Sequence, residues 1–135
     1  VATTSNKNSP VIWFRRLNQT GDSWQARPVV LDGPRPAQGV NKAVAVGDLD
    51  GDRDKELVIT TVGSGSCVYV IDLTGPIQNF AGNPQPVSTP GGCKYDNVLL
   101  ADLDGDSDLD SLGSEENHGV GVVWFENRLR DARRV

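Results

Sequence analysis

Apolar residues fall in short runs along this chain, and each run is fenced by clusters of Gly, Pro, Asn and Asp. Val, Ile, Leu, Tyr and Trp dominate the runs, the composition of strands. No stretch carries the three-to-four-residue recurrence of an amphipathic helix. The pattern predicts strands near 11–16, 27–31, 43–47, 57–61, 67–72, 85–88, 97–101, 110–113 and 120–126, with a last one near 132–135.

The runs repeat. "KAVAVGDLDGDRDKELVITT" (42–61) aligns with "DNVLLADLDGDSDLDSLGS" (96–114) at an offset of 54. "SPVIWFRRL" (9–17), "SCVYVIDLT" (66–74) and "GVVWFENRL" (121–129) form a second set, starting 57 and then 55 residues apart. "VATTS" (1–5) resembles the stretch beginning at Val58, and "WQARPVV" (24–30) has a shorter echo in "DARRV" at the C-terminus. One unit reads strand a, acidic loop, strand b, turn, strand c, Gly/Pro-rich loop, short strand d. Four short antiparallel strands at such a period describe a β-propeller blade. The expected architecture is all-β, in about three blades: an incomplete one over 1–41 that lacks its first strand, then 42–95 and 96–135. Three blades are too few to close a ring, since propellers have four to eight. Completion is therefore expected from a longer chain or from oligomerisation.

Composition fits this reading. With 135 residues the chain has the size of one domain, and 15 Gly, 8 Pro and no Met suit a turn-rich β protein. No apolar run is long enough to span a membrane. Neither a signal peptide nor an initiator Met is visible, so a processed product or a piece of a longer chain is expected. The net charge of -5 is unevenly placed, because ten of the 18 acids lie in two windows, 48–56 and 102–110. Outside them, 8 acids face 11 Lys and Arg. Charge focused in this way points to a cation.

The windows read "DLDGDRDKE" and "DLDGDSDLD". Hard divalent cations such as calcium take six to eight oxygens. In a nine-residue loop, side chains at positions 1, 3 and 5 converge, and the carbonyl at 7 and a carboxylate at 9 close the shell. Asp48, Asp50, Asp52 and Glu56 hold those side-chain positions in the first loop, with Asp54 at 7. Asp102, Asp104, Asp106 and Asp110 hold them in the second, with Asp108 at 7. Asp/Gly loops also form solvated turns without any metal, but two in register between matching strands favour calcium. Magnesium fits less well because it demands a tighter octahedron.

These loops, followed by strands and by "GVVWFEN", resemble the FG-GAP/VCBS repeats of integrin-α-like β-propellers, and the resemblance covers nearly the whole chain. It implies a propeller of about seven blades, calcium in the a–b loops, and a ligand-binding or adhesive role. The family usually carries Gly at loop position 6, where this chain has Arg53 and Ser107. A positive φ there would strain a non-glycine residue, and Arg53 adds a positive charge beside the ion. The 102–110 loop is thus expected to be the stronger site.

Other residues carry alternatives. Cys67 and Cys93, 26 positions apart, would pair in an exported protein and stay free thiols otherwise. Asn18-Gln19-Thr20 matches a glycan acceptor. Trp13, Phe14, Trp124 and Phe125 occupy matching places in strand c, where blade-to-blade packing is expected over a sugar-stacking platform. Trp24 has no counterpart in the next unit and is the individual candidate for a ligand contact. His118, the only histidine, sits in a polar loop and reads as solvated. "RLRDARRV" (128–135) lacks interleaved aromatics and does not read as a nucleic-acid site. No Ser/His/Asp or Cys/His pattern, phosphate loop or redox CxxC is present, so catalysis is not expected. The sequence thus points to a calcium-binding propeller module of an exported protein with a carbohydrate or glycoprotein ligand. The alternatives are an accessory domain of a secreted carbohydrate-active enzyme or an architectural assembly module.

Overall fold

The computed structural model describes residues 2–3, 11–31, 40–75 and 81–128, and every regular element among them is a β-strand. The expected strand at 132–135 lies outside the described residues. β1 (Ala2–Thr3), β2 (Val11–Arg16) and β3 (Trp24–Pro28) pair antiparallel in that order. β4 (Val30–Leu31) follows as a separate short strand. β5 (Val40–Gly47), β6 (Glu56–Gly63) and β7 (Val68–Ile71) form the next antiparallel run. β8 (Ala81–Gly82) pairs in parallel with β4, and β9 (Pro84–Pro86) closes the run beside β7. β10 (Cys93–Ala101), β11 (Asp110–Glu115) and β12 (Gly121–Phe125) make a third antiparallel run. The described chain is therefore three antiparallel meanders in sequence.

Prolines mark the outer edges. Pro84 and Pro86 sit on β9 and Pro28 ends β3, where a missing N–H costs no ladder bond. β6 lies in the middle, and Glu56 to Thr61 are all buried, the continuous run expected of a strand covered on both faces. At its far end the sheet branches. Thr61 N–H donates to the Cys67 carbonyl (2.8 Å), and one step further Val62 and Gly63 pair with Lys94 and Cys93 of β10. The Cys67–Cys93 disulfide, with Cα atoms 6.0 Å apart, spans this branch.

Two cores separate the meanders. Val11, Val29 and Trp13 from the first pack on Leu57, Ile59, Tyr69 and Ile71 of the second. Val58, Val68 and Val70 from the opposite face of the second pack on Tyr95, Val98, Val123 and Phe125 of the third. Tyr95 needs room there: a Cβ on Gly113 would stand 2.7 Å from its ring, whose other neighbour is Phe125 at 5.8 Å between centroids.

The pairing corrects the alignment of strand c. Thr3↔Val11 and Thr60↔Val68 are matching pairs, as are Ile59↔Tyr69 and Gly113↔Val123. Successive c strands are thus 57 and then 54 residues apart, where the matched stretches start 57 and then 55 apart. A one-residue slip exchanges the two faces of a strand, and the consequence is visible in the aromatics. Trp13 and Trp124 remain equivalent, but their counterpart in the middle is Val70 rather than Tyr69. Trp13 and Phe125 pack into cores, whereas Phe14 and Trp124 are exposed, so blade-to-blade packing does not describe all four. The strand expected at 27–31 is also split, into the end of β3 and β4, and the strand expected at 97–101 begins earlier, at Cys93.

Lys42 and Asp96 occupy matching bulges, where the register shifts between Asn41 and Ala43 and between Tyr95 and Asn97. They also meet: Lys42 Nζ lies 3.0 Å from Asp96 Oδ1, and Lys94 bridges Asp96 Oδ2 (3.3 Å) and Glu116. Hydrogen bonding with Glu116, then Lys42 and Lys94, holds the Asp96 pKa down to about 2. Nearby, burial works to raise the Glu115 pKa, but the amides of His118, Lys94 and Asn117 outweigh it and leave it below the usual glutamate value. A carboxylate depressed by folding stabilises the fold above its unfolded pKa, and this is lost as pH falls through the folded value. Stability is expected to drop as pH falls from about 4 toward 2, more shallowly in a Lys42→Met variant. Denaturant midpoints measured across that range check it; parallel profiles for the two proteins would remove Lys42 from the account.

Candidate metal centres in the acidic loops

Each acidic loop joins the first two strands of a meander, β5 to β6 and β10 to β11, and the same five hydrogen bonds build both. Gly51 N–H donates to Asp48 Oδ1 (2.8 Å) and Arg53 N–H to Asp48 Oδ2 (3.2 Å). Gly105 and Ser107 donate likewise to Asp102 at 2.7 and 3.0 Å. Asp50 Oδ1 accepts from Asp52 N–H, and Asp52 Oδ1 from Asp54 N–H; Asp104 and Asp106 accept from Asp106 and Asp108 in the same way. The fifth bond closes the loop, from Leu49 N–H to Glu56 Oε2 (2.5 Å) and from Leu103 N–H to Asp110 Oδ2 (3.0 Å). Alternate side chains bonding the amides two residues on curl the backbone inward, which is the local reason for an acid at every second position.

The curl brings oxygens together. In the first loop carboxylate oxygens of Asp48, Asp50 and Glu56 lie within 4.8 Å of one another, and in the second those of Asp102, Asp104 and Asp106 do so. Asp52 and Asp54 stand outside the first trio, exposed. Asp108 and Asp110 stand outside the second, both buried. The difference at position 9 is one methylene. Asp110 has both oxygens turned to amides, Leu103 on one side and Asn127 (2.8 Å) on the other, while the longer Glu56 serves Leu49 and still joins its trio. Burial pushes the Glu56 pKa up, opposed by the Leu49 amide and reinforced by Asp50 and Asp52. Asp104 is raised too, by desolvation and by the charges of Asp106, Asp110 and Asp102.

Three like charges within 4.8 Å are costly as bare carboxylates, and Asp106 Oδ2 is buried with no hydrogen bond to it. An all-oxygen donor set with such an atom fits a hard divalent cation.

Position 6 is left-handed in both loops, with φ of 83° at Arg53 and 74° at Ser107. That conformation costs an L-residue about 1–2 kcal/mol, and glycine avoids it at a smaller entropic penalty. Arg53→Gly and Ser107→Gly are each expected to raise stability by about 0.5–1 kcal/mol, read from denaturant midpoints. An unchanged or lowered midpoint would mean that the side chains stabilise the turn.

Asn127 escaped the sequence reading. Its Nδ2 donates to the Leu49 carbonyl (2.7 Å) in the first loop and the Leu109 carbonyl (3.2 Å) in the second, so it ties the two loops together. Only its place just after strand c could have marked it. Beside the loops, each junction between meanders opens a groove. One, of about 410 Å³, is lined by Trp13, Arg53, Asp54, Lys55 and Leu57. The other, of about 340 Å³, is lined by Asp50, Glu56, Phe125, Asn127 and Arg128.

The remaining candidates lie elsewhere. Trp24 is exposed at the β2–β3 turn, where its Nε1 donates to the Gly21 carbonyl (2.7 Å). In the same turn Asn18 Nδ2, the atom a glycan would modify, donates to Asp22. His118 is not simply solvated, since its backbone N–H (2.9 Å) and Nδ1 (3.3 Å) both meet the buried Glu115 carboxylate. No protein-family model matches the chain, and no curated protein or solved structure matches it either.

Proposed function

We propose that this chain is a non-catalytic, calcium-binding β-propeller module of an exported protein and that it binds a carbohydrate or glycoprotein. The observation that carries the reading is the doubled loop, in which five matching hydrogen bonds gather a carboxylate trio in each repeat. Asp48, Asp50 and Glu56 would hold one ion, with Asp52 and Asp54 beside them. Asp102, Asp104 and Asp106 would hold the other, with Asp108 beside them and Asp110 fixing the loop's start. The ion would supply charge neutralisation, letting an acidic loop lie against buried strands. Each meander would be one blade, and the grooves beside the loops would form the recognition surface. The groove at Trp13, Arg53 and Lys55 suits a sugar best, because it offers an aromatic side chain next to hydrogen-bonding groups of both signs.

The test is a calorimetric calcium titration of chelator-stripped protein with magnesium as control, followed by a glycan array. Two calcium sites per chain and a glycan signal reduced by Lys55→Ala support the proposal. Silence toward calcium on folded protein would reduce both loops to solvated turns.

A further inference from the structure

The corrected register shows which faces of the meanders are equivalent, and it leaves two of them open. In the middle meander Ala45, Val58 and Val70 form one cross-strand row and Val44, Ile59 and Tyr69 the other. In the third, Leu99, Leu112 and Trp124 match the first row, while Val98, Gly113 and Val123 match the second. In the first, Val11 and Trp13 belong with the first row, and Ile12 and Phe14 with the second. Both internal junctions follow one rule: the first-row face of a meander is covered by the second-row face of the meander that follows.

At the two ends the rule goes unmet. The first-row face of the third meander is apolar yet open, with Leu99 59%, Val122 73% and Trp124 47% exposed. The second-row face of the first meander is open too, with Phe14 43% and Trp24 54% exposed beside Ala26 and Pro28 on the same side of β3. Soluble surfaces rarely keep such large side chains together without a partner.

We infer that a second copy of this chain closes both faces, the Leu99–Leu112–Trp124 face of each copy receiving the Phe14–Trp24 face of the other. Each copy carries one described face of each kind, which are the two kinds that the internal junctions pair. Two copies of the described meanders make six, within the four to eight that close a propeller. Both contacts in the pair are identical and head-to-tail, so the ring closes with twofold symmetry and no open face remains. Trp24 becomes an interface residue in this arrangement rather than a ligand contact. The inference rests on the propeller reading above but not on its metal or its ligand.

The experiment is sedimentation equilibrium on the whole chain, alone and as Leu99→Asp and Phe14→Asp variants. Both substitutions are at exposed positions, and thermal melts verify that the variants fold. The unmodified chain is expected at twice its 14.5 kDa mass. Each variant is expected to dissociate at least tenfold more readily. A one-to-one mixture of the two variants still has one intact pair of faces and is expected to recover a two-chain species. A single-chain mass for the unmodified protein, or a three-chain mass, overturns the inference. So does a pair disrupted by Leu99→Asp but untouched by Phe14→Asp, which would mean that like faces meet. Silence toward calcium in a two-chain particle would sink the metal reading and leave this one standing, and two calcium sites on a single-chain particle would do the reverse.

Discussion

Replacing Cys67 and Cys93 together by alanine is expected to lower the stability of the fold by about 3.5 kcal/mol, the loop-closure value for their separation of 26 residues. For a chain of this size that is a fall in melting temperature on the order of 10 °C. The bond sits where the loss is felt most. β7 ends its pairing with β6 at Cys67, and β10 takes over the same edge of β6 at Cys93 and Lys94 with only two residue pairs. Cys67 is itself anchored, its N–H on Ser88 Oγ (2.8 Å) and its carbonyl on Thr61 N–H. Without the bond, the branch between the second and third meanders depends on those two pairs and the core beneath them. Reductant should shift the unmodified chain toward the variant's melting temperature and leave the double variant unmoved. Equal melting of oxidised and reduced protein would show that the core alone holds the branch.

How far the sequence revealed this arrangement depends on what kind of signal each part carries. Strands a and b were legible because their apolar runs abut the acidic loops, which align without gaps at 54 residues and anchor the register. Strand c has no such anchor. Its aromatic residues matched each other across the ends of the chain, but the middle unit places Val70 where the others have Trp, because Tyr95 and Phe125 from the third meander already fill that space. The stretches that look most alike start 55 residues apart between the second and third units, which sets Trp124 on Tyr69 and slips the strand by one residue. The β4–β8 pairing could not be foreseen, since two-residue strands have no periodicity and Gly82 is there because a Cβ would stand 2.4 Å from the Asp72 carbonyl. Within the loops, the alternating acids were plain, and the left-handed position 6 was predicted from its usual glycine. The division of labour at position 9 was not, because the reach of Glu56 against Asp110 matters only once Asn127 is seen to occupy the second oxygen.

If the loops hold calcium as proposed, removing it is expected to cost at least as much as removing the disulfide. An ion that binds only the folded loop contributes about 2.7 kcal/mol at a hundredfold excess over its dissociation constant, so two sites together approach about 5 kcal/mol. The structure gives a reason for the effect to be large. The amide hydrogen bonds that curl each loop lie within the chain and hold the carboxylate trio within 4.8 Å, so its repulsion is not expected to be relieved by spreading. Melting in millimolar calcium is therefore expected well above melting in chelator, with magnesium recovering little of the difference. Asp48→Ala and Asp102→Ala divide the increment between the loops. Both loops carry the strained position 6, but the positive charge of Arg53 disfavours a cation in the first, whereas the buried Asp106 oxygen with no hydrogen bond favours the second, so Asp102→Ala should remove the larger share. Identical melting with and without calcium would leave the trios as unneutralised acid clusters. The five bonds that build each loop would then account by themselves for the acid at every second position.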